Sequence, residues 1–177
     1  MDNDLVAYIE RLELIAFFGG YPLIYAIVHF IAGEQRKEPA AFLNRLVMLL
    51  PFAYAFTGTL FLALALKNMF PDFSMKNIAE QFQTPYIKIW GLLAVLFWIP
   101  AFSKKAVFSL LHSLIFFFFL LKDLFIYMTA STGREVIKND MKIYTGSLLL
   151  NTGTLAFIVI IHFLVSSIRN NKKASAN

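Results

Sequence analysis

The chain has 177 residues, of which 59% are hydrophobic and 20 are Phe, with a mean hydropathy of +0.66. That apolar share lies well outside the range of soluble domains and reads as a polytopic membrane protein. The lack of cysteine excludes disulfides, thiolate catalysis, iron–sulfur ligation and covalently attached c-type haem. The net charge of +5 is spread over loops and a tail, which argues for membrane topology and against nucleic-acid binding.

A hydrocarbon core of about 30 Å needs roughly 20 apolar helical residues to cross it. The opening segment, MDNDLVAYIERLE, is acidic and lacks the basic flank of a signal peptide, so it is expected to stay attached. The first charge-free run covers 14–33 and contains FFGGYPLIY. Gly19 and Gly20 permit close helix contact, while Pro22 removes a backbone donor and kinks the helix. This stretch reads either as a packing device or as a broken helix whose freed carbonyls line a site, as in transporters. His29 follows Tyr21 and Tyr25 along one side of it.

The second run covers 46–66 and includes Tyr54 and Thr57-Gly58-Thr59. In the 67–85 loop, Ser74 is a candidate N-cap, and Met75, Ile78, Ala79 and Phe82 recur at helical spacing. A short amphipathic helix in the membrane interface is predicted there. The third span, 85–103, requires Lys88 inside it. The fourth, 106–128, carries Lys122 and Asp123, and the fifth covers 143–168. Residues 169–177 read as a disordered basic tail. The expected fold is one all-α domain, a polytopic membrane bundle of five transmembrane helices.

Five spans place the two ends on opposite sides. One side collects Arg36, Lys37, Arg45, Lys104, Lys105, Arg169, Lys172 and Lys173; the other collects Arg11, Lys67, Lys76, Lys88, Arg134, Lys138 and Lys142. The first set sits in about half as many loop residues, so the positive-inside rule puts the N-terminus outside and the C-terminus in the cytoplasm of a bacterial-type inner membrane.

Ionisable groups inside a span are costly and ask for a reason. Lys122 can snorkel to the interface, whereas the shorter Asp123 is expected to face protein or water. His112 and Asp123 are eleven residues apart, as are Asn151 and His162, which at about 100° per residue puts each pair on one helix face. If the fourth and fifth helices are antiparallel neighbours, His112 lies level with His162, and Asp123 with Asn151. Ser147 and Thr154 extend the stripe on the fifth helix. On this topology His29, His112 and His162 share the cytoplasmic third, which makes a three-histidine cluster geometrically possible.

Three uses are open to this set of Asp123, Asn151, His112, His162, His29, Lys122 and Thr154. They can be interhelix hydrogen-bonding rungs, a proton or ion path, or metal or haem ligands. The spacings match no H-E-x-x-H pattern, and no catalytic motif is present. Trp90, Trp98, Tyr54 and Tyr144 are expected as interface or packing aromatics. The expected function is a non-catalytic subunit or scaffold of a larger membrane complex. A small oligomeric carrier or channel is the alternative, and a haem- or quinone-associated redox subunit a further one. Expected partners are the bilayer and other membrane subunits or further copies of the chain.

Overall fold

The computed structural model describes residues 3–34, 41–70, 85–129 and 134–174. Among the described residues the fold is all α-helical apart from one 3-10 segment and short connections. Four stretches are long and apolar enough to cross a bilayer: Tyr8–Gly33, Phe42–Met69, Ala106–Ile126 and Lys142–Asn171. The first is divided into α1 (Asn3–Phe18) and α2 (Tyr21–Glu34); the second lies in α3 (Ala41–Met69). The others lie in α6 (Ala106–Thr129) and α7 (Arg134–Ala174).

The third span is a composite. It consists of α4 (Pro85–Leu92), a 3-10 segment (Leu93–Trp98) and α5 (Pro100–Ser103). A 3-10 helix rises about 2.0 Å per residue against 1.5 Å in an α-helix, so Pro85–Trp98 reaches roughly 24 Å with few residues. Ile99 is extended, with φ −78° and ψ 128°, as expected before a proline, and Pro100 restarts the helix at its N1 position.

This composite lies against α3 and α1 at contacts that only small residues allow. A Cβ on Gly58 would stand 2.7 Å from Ala94 Cβ, and one on Gly91 would stand 2.5 Å from Leu14 Cδ2. Around these points Leu14, Phe18, Leu50, Tyr54, Phe61 and Phe116 are at most 1% exposed. Phe18 stacks on Phe116 at 4.9 Å and meets Tyr54 and Phe61 edge-on. Such offset and edge contacts add to the area that rings bury.

α6 runs antiparallel to α1–α2, pairing Ser109 with Tyr21, Phe116 with Phe18, and Asp123 with Arg11. α7 packs chiefly on α3 and α1 and only sparsely on α6. The bundle therefore has one end carrying Asp123 and another carrying Arg45 and Arg169.

Two expectations need correction. The helix persists through 169–174, where a disordered tail is predicted; no Gly or Pro interrupts it, and Arg169, Lys172 and Lys173 suit a helix C-terminus. The helix that holds the fifth span begins at Arg134. The phenylalanine run 116–119, which its sequence alone would turn wholly toward lipid, does so only in part, because Phe116 is buried and Phe118 is 69% exposed. The interfacial helix predicted around 74–82 lies outside the described residues, as do 175–177.

Candidate functional site

A layer of buried charge crosses the Asp123 end. Lys88 on α4 donates to Glu10 Oε1 on α1 at 3.4 Å, with side chains only 4% and 5% exposed. One residue along α1, Arg11 donates to both carboxylate oxygens of Asp123 at 3.3 and 3.4 Å. Tyr144 OH on α7 completes the group by donating to Asp123 Oδ2 at 2.8 Å. Two acids and two bases on α1, α4 and α6, tied to α7 by a phenol, thus join four helical elements. Glu10, Lys88 and Asp123 are desolvated and require their counterparts, because removing one partner of a buried pair costs about 3–5 kcal/mol, whereas Arg11 is 25% exposed.

The middle of the bundle is held by neutral polar contacts. α1 stops at Phe18, and the chain turns through Gly19–Gly20 into α2. Two backbone groups opened there are taken by α7: Gly20 N–H donates to Ser147 Oγ at 2.8 Å, and Asn151 Nδ2 donates to the Phe17 carbonyl at 2.8 Å while also bonding the Ser147 carbonyl of its own helix. A side chain at Gly20 is excluded because its Cβ would lie 2.8 Å from the backbone of Ser147 and Leu148. The broken helix is therefore satisfied from within the bundle. Thr154 contacts Thr57 at 3.2 Å, tying α7 to α3.

His112 sits among rings. Its Nδ1 is 2.7 Å from Tyr54 OH, and Trp90 stacks on it at 4.7 Å and 7° while donating through Nε1 to the His112 carbonyl. Two buried side-chain atoms in this region lack a hydrogen-bond partner among the described residues: His112 Nε2 and Asn151 Oδ1.

The predicted site residues are thus separated. Asp123 bonds Arg11 and Tyr144, not Asn151; Tyr144 is seven positions, about 10 Å of helix rise, from Asn151. His112 and His162 do not form a rung, for His112 is among Tyr54, Trp90 and Phe97, whereas His162 lines a cleft beside Phe56 and Phe157. His29 is exposed and stacks on Tyr25 at 4.4 Å. Among the described residues no three His, Cys, Asp or Glu side chains converge on a metal-ligating position. Lys122 is exposed, in keeping with a lysine that escapes the apolar run.

Sequence reasoning missed Glu10, Arg11 and Tyr144 as partners, and counted Lys88 only as a tolerated charge. A signal was available: Glu10 and Arg11 bring both signs to the mouth of the first span, where Lys88 and Asp123 enter theirs.

No family model, curated protein or solved structure matches the chain.

Proposed function

We propose that the chain is a non-catalytic subunit or scaffold of a larger membrane assembly. It lies in a bacterial-type inner membrane with its N-terminus outside and its C-terminus in the cytoplasm. One observation carries this reading: the ionisable groups that a carrier would place along a path are committed to joining helices. Lys88 pairs with Glu10, and Asp123 with Arg11 and Tyr144, while Leu14, Phe18, Phe61 and Phe116 fill the core beyond them. Large apolar side chains then face outward, among them Phe118 and Phe125, each 69% exposed and seven residues apart on α6.

The test is a mild-detergent pull-down from native membranes with quantitative mass spectrometry of what co-purifies. A stoichiometric membrane partner, released by Phe118→Ser or Phe125→Ser before the bundle unfolds, is the expected result. A clean homo-oligomer, with these variants unaltered in assembly, would overturn it.

A carrier is favoured by a separate observation, the two unpartnered polar atoms beneath a layer of four buried charges. Under that alternative Asp123→Asn abolishes flux in liposomes with little loss of folded protein.

A further inference from the structure

Away from the buried charge layer, α3 and α7 line a cleft of about 660 Å³ that is open to the side of the bundle. Its walls are apolar, with Phe52 and Phe56 from α3, Phe157 and Ile161 from α7, and Trp98 at one rim. Phe56 and Phe157 stack at 4.9 Å, and Trp98 is held in place by donating to Thr59 Oγ1 at 2.9 Å. The volume falls in the range of sites for ligands of some tens of atoms, about 300–1,000 Å³. On α3 the cleft runs from Leu49 to Thr59, ten residues and about 15 Å of helix rise, which is half of a hydrocarbon core of about 30 Å. Its reach is that of one leaflet.

The cleft changes character at one end. His162, Ser166 and Arg169 follow one another at i, i+4 and i+7 on α7 and line both the apolar cleft and an adjoining polar recess. Arg45 from α3 and Asn170 complete that recess. Nδ1 of His162 is buried at the junction with no partner among the described residues. No described carboxylate forms a salt bridge with Arg45 or Arg169. Arg45 and Arg169 lie within three residues of the ends of the spans Phe42–Met69 and Lys142–Asn171, where a bilayer's headgroups are expected. Planar guanidinium groups match phosphate oxygens in bidentate geometry, and basic pockets between transmembrane helices suit anionic headgroups.

We propose that this cleft binds one anionic phospholipid of the leaflet at the Arg45 end. An acyl chain lies along Phe52, Phe56, Phe157 and Ile161, and the phosphodiester sits between Arg45 and Arg169. His162 Nδ1 faces the ester region between them. The occupant is a lipid because the cleft opens sideways, is apolar for one leaflet's depth, and ends in paired cations at the matching height. This inference does not depend on the chain's being a scaffold.

Native mass spectrometry of the full-length protein in mild detergent, titrated with phosphatidylglycerol or phosphatidylcholine, tests it. One phosphatidylglycerol per chain is expected, bound roughly twentyfold more tightly than phosphatidylcholine. Arg45→Gln and Arg169→Gln should each weaken phosphatidylglycerol about fivefold and leave phosphatidylcholine unchanged. Ile161→Trp, filling the cleft, should remove both; Val165→Phe serves if that variant does not fold. Equal binding of the two lipids, indifferent to the arginine variants, would reduce the site to ordinary annular lipid and overturn the proposal. So would phosphatidylglycerol retained after the cleft is filled, oleate bound as tightly as phosphatidylglycerol, or a polypeptide occupying the cleft in place of lipid.

Discussion

The two ends of the bundle use charge in opposite ways. At the Asp123 end, acids and bases from α1, α4 and α6 are drawn inside and paired, with Tyr144 of α7 bonded to Asp123. At the Arg45 end, Arg45, Lys104, Lys105 and Arg169 are all exposed, and none forms a salt bridge with a described carboxylate. Paired charge in a dry setting fixes helices relative to one another and has little left for a ligand. Exposed cations beside an apolar cleft contribute little to fixing the fold and keep their donors available. The location of stabilising and of ligand-binding charge in this protein therefore follows from burial and pairing, not from residue type.

Breaking the paired end should have the largest effect. Lys88→Met removes a buried ion pair with Glu10 and should lower stability by about 3–5 kcal/mol, read as thermal unfolding of the purified protein in detergent. Adding Glu10→Met should restore most of that loss, because an apolar pair can replace a buried ionic one; a double variant as unstable as the single would refute the pairing.

Asp123→Asn should cost less, about 2 kcal/mol, since Tyr144 can still donate to the amide oxygen and Arg11, 25% exposed, still reaches water. Unchanged unfolding would show that the Arg11–Asp123 contact carries no stability.

Between the two ends, Gly58→Ala should destabilise by about 1–2 kcal/mol, because its new methyl meets Ala94. Gly146→Ala and Gly153→Ala, where nothing lies within 4 Å, should be neutral or stabilising by up to about 1 kcal/mol. Equal effects at all three glycines would mean that α3 and the composite third span do not approach as closely as described.

The smallest effect belongs to the open end. Arg45→Gln should move the unfolding of lipid-free protein by no more than about 0.5 kcal/mol. A shift as large as that of Lys88→Met would erase the distinction between the ends.

Much of the architecture was legible in the sequence, because crossing a bilayer is a property of local length and apolarity. Three of the four long spans follow from the charge-free runs 14–33, 46–66 and 143–168, the other is legible once Lys122 and Asp123 are allowed in 106–128, and the break in the first follows from Gly19, Gly20 and Pro22. The third span was visible but its form was not: nothing local in Leu93–Trp98 announces a 3-10 segment, and its packing under Gly58 is a contact between distant residues. The same limit governs the polar side chains. Equal spacing of His112 with Asp123 and of Asn151 with His162 concerns one helix at a time, and it places residues level only if α6 and α7 face each other along their length. α1 and α2 contact both, so Asp123 meets Arg11 and Tyr144, and Asn151 caps the broken turn at Phe17. Periodicity fixes which residues share a face of one helix. Only tertiary structure, by setting each helix's rotation and its neighbours, decides what that face meets.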